Sequence, residues 1–245
     1  MLTAGEIGDF QQNGFLTFRH DNPHPLQLPE LEVVRSLLAG PSPAKDPAVD
    51  RHLDDPLTYA ICKQAAIVER VAALLGPDLL LWHTRYFNRV AGGSQVPWHQ
   101  DAPFWAIEPR HCVSAWIALE DVHEGNGCVY VVPGSNHVQL AQLPSEGTGR
   151  FHHKADIDGV DISGAIPLVL RRGEFFLFDA WLLHRSGGNP QTRSRIALAV
   201  NYITPDVLVD LERPRRRNQS YGVQLVRGRD TLGLNPHAPA PGGAV

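Results

Sequence analysis

The sequence predicts a mainly β fold with flanking helices, a sandwich or jelly roll. Three observations carry that reading. Short apolar runs separated by turn residues recur from Leu79 to Ile203. Helical spacing of apolar residues is confined to the stretch before Leu79, so the helices should brace one sheet from outside. A length of 245 residues suits one all-β domain. Residues 1–245 are therefore expected to form a single unit: helices within 1–78, the jelly roll over 79–206, and a C-terminal segment 207–245 with a frayed Pro/Gly/Ala-rich end.

Taken in order, Glu6 to Phe15 predicts a short helix that stops at Asn13-Gly14, followed by a strand Phe15–Phe18. Leu31, Val34, Leu37 and Leu38 repeat at helical spacing. Pro56 to Leu75 predicts one long helix, with Ile61, Ala65, Val68, Ala72 and Leu75 on a stripe and Gly76-Pro77 as its stop. Strands follow at Leu79–Val90, Val113–Leu119, Cys128–Val132, Ile166–Leu170, Glu174–Phe178 and Ile196–Ile203. Leu140 to Asp161 is an insertion with little apolar content, and its His152 and His153 read as solvated. The basic run Arg213, Arg215, Arg216 and Arg217 reads as a solvated surface.

Composition narrows the function classes. A hydrophobic content of 43% with 20% charged residues is globular, and a net charge of −4 gives no footprint for nucleic acid. No apolar run is long enough to span a membrane, and Met1 to Glu6 lacks the basic and apolar regions of a secretory signal. Cys62, Cys112 and Cys128 show no metal-like spacing and read as free thiols, two of them buried in strands, which fits a cytoplasmic location.

The chemistry concentrates in Val96-Pro97-Trp98-His99-Gln100-Asp101. In a strand, side chains two apart share a face, so His99 and Asp101 could aim an imidazole and a carboxylate at one point. The run Phe178 to His184 offers a third donor, His184, at the end of an apolar strand. Two His and one carboxylate with open positions opposite is the arrangement of non-haem Fe(II) oxygenases, although twelve histidines allow many chance matches. Ser186 lies two residues after His184, and Arg195 eleven after it. An arginine projecting into a barrel is costly unless it meets a carboxylate; the alternative is a side chain that snorkels to the surface.

The order and spacing of several pieces resemble the phytanoyl-CoA dioxygenase family. They are Trp98-His99-Gln100-Asp101, Trp116 to Asp121, Asn126-Gly127-Cys128, Pro133 to His137, Arg172-Gly173-Glu174, His184-Arg185-Ser186 and Arg195. The resemblance runs from about Glu6 to Asp206. It implies a double-stranded β-helix (cupin-like) and an oxygenase that uses Fe(II), 2-oxoglutarate and O₂ on a small-molecule substrate, closest to the ectoine hydroxylase-like bacterial branch. By that resemblance His99, Asp101 and His184 match the iron ligands, and Arg195 with Ser186 matches the anchor for the far carboxylate of 2-oxoglutarate. Trp116 matches an aromatic residue lining that pocket. His83 and Arg85 match polar residues facing cosubstrate or substrate, and Trp105 a substrate-facing aromatic. Arg89 stands where many members have Lys.

Family-related halogenases have a small residue in place of the carboxylate, so Asp101 implies hydroxylation or a related oxidation. His83, Arg85, Trp105, Arg110, His111 and Trp181 suggest a pocket with aromatic and cationic parts, suited to a metabolite carrying an anionic group. Two other classes stay open: a non-catalytic jelly-roll binding protein, and a zinc-dependent hydrolase or isomerase on the same fold.

Overall fold

The computed structural model describes residues 1–19, 26–41, 46–145, 153–210 and 222–242. Helix α1 (Ala4–Asn13) starts at a capping box: Thr3 Oγ1 accepts from the Glu6 amide at 3.2 Å, and Glu6 accepts from the Thr3 amide at 2.7 Å. Gly14 ends it in the left-handed conformation (φ 79°), where a Cβ would press on Asn136 at 2.8 Å. Strand β1 (Phe15–Phe18) and helix α2 (Leu31–Ala39) follow as expected.

The long helix expected over Pro56 to Leu75 is two helices, α3 (Pro56–Cys62) and α4 (Ala65–Leu75). Asp55 caps the first by accepting from the Thr58 amide at 2.7 Å. Gln64 breaks the run. Its backbone is extended, and its carboxamide pairs with the backbone of Gln27 at 2.8 and 2.7 Å. Of the expected stripe, Ile61 and Val68 are buried against the large sheet, Ala72 and Leu75 are half-buried and Ala65 is exposed; Ile67 and Val71 are buried beside them.

The strands are β2 (Leu79–Arg89), β3 (Val96–His99), β4 (Ile107–Glu108), β5 (Val113–Ala118), β6 (Val129–Val131), β7 (Gln142–Pro144), β8 (His153–Ala155), β9 (Ile166–Leu168), β10 (Phe175–Asp179), β11 (His184–Ser186), β12 (Arg195–Ile203), β13 (Leu208–Val209) and β14 (Gln224–Arg227). They build a jelly roll. A six-stranded sheet, in the order β1-β10-β5-β12-β2-β14, faces a four-stranded sheet, β3-β11-β6-β9. All recorded pairings within both sheets are antiparallel. The helices cover the outer side of the large sheet through Val113, Ile117, Leu198 and Val200. Between the sheets lie Trp116, Phe176, Phe178, Val129, Val131 and Leu182. Strand β12 is buried along its whole length because both faces are covered, which is why it reads as a continuous apolar run.

Three features were not expected. The insertion carries a ribbon, β7 with β8, whose Ala155 is buried with Val132 and Leu183; His153 is exposed on it, and His152 lies outside the described residues. Strands β4 and β13 pair, and β14 extends the large sheet beside β2. All three cysteines are buried, but none sits within a strand: Cys62 ends α3, and Cys112 and Cys128 immediately precede β5 and β6. The basic run at Arg213 to Arg217 also lies outside the described residues, while positions 236–242 are described and pack back at Val223–His237. No helix among the described residues is long and apolar enough to cross a membrane.

Ile117 joins the helical layer to the large sheet and has no exposed surface. Ile117→Ala is expected to cost about 2–5 kcal/mol of unfolding free energy, read as a lower urea midpoint at unchanged slope.

Candidate metal centre

His99 ends β3 and His184 opens β11, and the two are direct partners across the antiparallel pair, with ring centroids 4.2 Å apart. Asp101 is not on the same strand face as His99. The strand has ended, Asp101 takes helical backbone angles (φ −77°, ψ −38°), and its amide donates to the Ala180 carbonyl at 3.1 Å. The chain turns there, and the turn, not strand alternation, brings the carboxylate round. His184 likewise does not end the apolar strand before it. The run from Phe178 contains the end of β10, a turn held by Trp181 N–H to Asp179 Oδ1 at 2.7 Å, and then β11.

The donor atoms of His99, Asp101 and His184 lie within 4.8 Å of one another. Asp101 Oδ1 is 3.6 Å from His99 Nε2 and 3.9 Å from His184 Nε2. Both rings place Nδ1 on a backbone carbonyl: His99 on Pro97 at 2.8 Å and His184 on Leu182 at 2.9 Å. A carbonyl only accepts, so Nδ1 holds the proton and Nε2 presents a lone pair. Burial, reinforced by His184, pushes His99 down to about 3, and burial pushes Asp101 up. Two imidazoles that turn Nε2 toward one carboxylate form a donor set that fits a divalent cation.

The inward face of the large sheet supplies the opposite wall. Alternation along β12 turns Arg195, Ala197, Ala199 and Asn201 inward, and their partners on β2 are Arg89, Phe87, Arg85 and His83. Arg195 is 2% exposed. Its Nη2 donates to the Gly127 carbonyl, its guanidinium lies 5.2 Å from the Trp116 ring, and its Nε and Nη1 have no hydrogen-bond partner. Burial and then Arg89 push Arg195 down to about 10. The neighbouring acid, Glu120, is already paired with Arg35 at 3.2 Å. A buried cation with two orphaned donors and a second arginine beside it fits a bound carboxylate.

The family model for phytanoyl-CoA dioxygenase matches residues 30–197. The chain belongs to the phytanoyl-CoA dioxygenase family. It is accordingly a non-haem iron oxygenase dependent on 2-oxoglutarate, with a His-Asp-His site. A Caenorhabditis elegans protein described as "Probable phytanoyl-CoA dioxygenase" is 26% identical over 244 residues, 84% of this chain and 77% of that protein. The rat peroxisomal phytanoyl-CoA dioxygenase is 29% identical over 157 residues, and this match covers only 46% of the rat protein. Among solved structures, the non-heme monooxygenase ThoJ superposes with a TM-score of 0.76 at 28% identity, covering 96% of this chain and 88% of that one. CytC3, solved with Fe(II) and alpha-ketoglutarate, shares the fold at TM-score 0.73 and 24% identity over 98% and 95% of the two chains.

The family's motif pieces serve the site mostly as scaffold. Gln100 donates to the Trp181 and Val138 carbonyls, both at 2.6 Å, and so joins the two metal-bearing turns. Ser135 Oγ accepts from the Leu183 amide at 2.9 Å, one residue before His184. Gly127 takes φ 88°, and a Cβ there would meet the Gly187 carbonyl at 3.0 Å, on the turn whose carbonyl receives Arg195. Arg172 donates to the Leu119 and Pro29 carbonyls, at 2.9 and 2.8 Å.

The remaining expected residues divide. His83 and Arg85 lie near Asp101, but each already meets an acid: His83 Nδ1 is 2.7 Å from Asp50, and Arg85 is 3.3 Å from Asp46. The free cationic patch expected there is therefore compensated from within the chain. Trp105 stacks edge-on to Trp82 at 5.6 Å, and Trp181 packs in the same cluster. Ser186 sits on β11 on the side of His184. Arg110 is half-buried after β4, and among the described residues it makes no hydrogen bond or ion pair; His111 is exposed.

Sequence reading missed Asp50. It is a buried non-glycine residue in the left-handed region (φ 52°) that holds His83 and the Thr84 amide. Burial raises its pKa, but His83, His52 and the Thr84 amide outweigh that and hold it below the usual range. A cleft of about 610 Å³, lined by Trp98, Tyr130, Lys154 and Arg185 among others, involves the outer face of the small sheet, away from the histidines.

Two outcomes follow from these charges. Arg195→Met is expected to leave the ligand-free protein as stable as before or more so, because it removes an uncompensated buried cation, while weakening 2-oxoglutarate binding by about a hundred- to several-thousand-fold. Urea unfolding and an anaerobic 2-oxoglutarate titration measure the two effects. His52, fully buried on Thr84, is held by burial at about 4. Its unfolded value is near ~6.5, so the unfolded chain binds the extra proton between those values. Its stabilising contribution is complete above about pH 6.5 and declines as the pH falls toward about 4. The protein should lose about 3 kcal/mol relative to His52→Asn across that window, measured by urea unfolding at both ends.

Proposed function

We propose that this chain acts as one unit, residues 1–245, that hydroxylates or otherwise oxidises a C–H bond of a small-to-medium metabolite. It consumes O₂ and 2-oxoglutarate and releases succinate and CO₂, in a biosynthetic or catabolic step of the ectoine hydroxylase-like kind. The observation that carries the reading is the presence of two features between the same two sheets: three metal donors on the small-sheet side, and the orphaned Arg195 guanidinium on the large-sheet side. A non-catalytic binding protein gives no reason for three converging donors. A zinc hydrolase or isomerase gives no reason for a buried arginine with free donors.

In this reading His99 and His184, through Nε2, and the Asp101 carboxylate hold Fe(II). Arg195 receives the far carboxylate of 2-oxoglutarate in its two free N–H directions, with Ser186 adding a hydroxyl and Trp116 a flat wall. Iron held there would activate O₂, the oxidant, with the keto acid giving two electrons and the substrate C–H bond the other two. The chain excludes water through Phe176, Phe178 and Trp116, all buried between the sheets. Asp101 keeps the carboxylate ligand in place, which disfavours halide binding and favours hydroxylation. Arg85 and His83, fixed by Asp46 and Asp50, shape the end of the cavity nearest Asp101. Trp105 and Trp181 border it, and Arg110 stands further out as a contact for a larger substrate.

The test is succinate release over a panel of amino acids, phosphonates, acyl thioesters and terpenoid acids, together with iron retention. His99→Ala, Asp101→Ala and His184→Ala should each abolish iron retention and 2-oxoglutarate turnover. Full activity in any of the three would sink the triad.

A further inference from the structure

Two polar side chains on the inward face of the large sheet have no work to do in the folded chain. Asn201 is 3% exposed, and among the described residues no hydrogen bond reaches its carboxamide. Ser114, its direct partner on β5, is fully buried, and its Oγ has no hydrogen-bond partner, only the Cys112 thiol beside it. The two belong to one row across the sheet: Phe178, Ser114, Asn201, His83. That row lies level with the metal donors, since Phe178 is 5.3 Å from the His184 ring. Beside it stand Trp82 and Trp105, with Trp82 donating to Cys112 at 3.5 Å.

A buried amide and hydroxyl left unpaired cost free energy, so such groups persist where a ligand completes them. The ligand's charge can also be argued. The Arg85 guanidinium and the His83 ring nearest the row already meet Asp46 and Asp50, and Asp101 stands close to both. With Asp101 committed to the metal, an anion placed on Asn201 would find both basic side chains beside the row already paired with acids. A carboxamide offers donors and an acceptor together, which matches a hydroxyl or a neutral amide.

We infer that Asn201, with Ser114 beside it, is the specificity subsite of the substrate cavity, and that it engages a neutral hydroxyl or amide carried close to the C–H bond that reacts. The inference rests on the oxygenase reading for its location only. The aromatic pair Trp82 and Trp105 gives that ligand an apolar surface to lie on.

The experiment uses the protein loaded with diamagnetic Zn(II) and 2-oxoglutarate, titrated with benzyl alcohol, benzamide and benzoate as matched probes. The side-chain amide resonances of Asn201 are identified by their loss in Asn201→Asp. The alcohol and the amide are expected to shift these resonances saturably, with benzoate binding at least about tenfold more weakly. Asn201→Leu should weaken the neutral probes by about tenfold and Ser114→Ala by a smaller factor, each corresponding to the loss of about one hydrogen bond. If Asn201→Leu fails to fold, the alcohol-to-benzoate ratio in the unmodified protein decides alone. Benzoate binding as tightly as the alcohol, or Asn201 resonances unmoved by every probe, overturns the subsite. The 2-oxoglutarate band of the anaerobic Fe(II) protein, measured separately, keeps the oxygenase reading apart: a normal band with unmoved Asn201 resonances refutes this inference alone.

Discussion

Each metal-facing histidine commits its Nδ1 proton to a carbonyl two residues earlier in its own chain, His99 to Pro97 and His184 to Leu182. That local bond sets the tautomer, fixes the ring plane and leaves Nε2 as the only lone pair for a cation. The pairing of β3 with β11 then needs only to bring two pre-oriented rings together, which it does in direct register. Gln100 and Ser135 lock the turns on either side, so the rings are held by backbone geometry rather than by contact with a ligand.

The opposite wall obeys a different constraint. Arg195 and Arg89 face each other across the β12–β2 ladder, with backbone carbonyls as their recorded hydrogen-bond acceptors. Two cations out of water without a counter-ion weaken the folded state. In the proposed function the far carboxylate of 2-oxoglutarate would answer this imbalance by pairing with Arg195. At the other end of the same face the chain does the reverse: Asp46 pairs with Arg85, and Asp50 meets the His83 ring at 2.7 Å. The inner face of the large sheet thus has an unbalanced cationic end at Arg195 and a balanced, polar end near Asp101.

Much of this was legible from residues alone. The strand-rich texture followed from apolar runs; spacing suggested His99, Asp101 and His184 among many chance matches and left Arg195 open to a surface position, and the family resemblance singled them out. What escaped had physical reasons. The break at Gln64 depends on a carboxamide reaching Gln27, a contact far off in sequence. Asp101 shares its target with His99 through a turn rather than a pleat, so the right pair was chosen for the wrong reason. The acids that cancel His83 and Arg85 come from the segment around Asp50, whose left-handed backbone carries no signal in its residue type. Asn201 sat unnoticed inside an apolar run because a lone polar residue there is visible only once its face is known.

Strand β11 is three residues long, and consecutive side chains serve separate purposes: His184 turns inward to the metal, Arg185 outward between the Trp98 and Tyr130 rings, and Ser186 inward again. Such a strand has no slack. Inserting one residue after His184 would swap the two faces, sending the Arg185 guanidinium toward the metal site and the Ser186 hydroxyl outward, and deleting Arg185 would turn Ser186 outward as well. This stretch can therefore change by substitution but not by length.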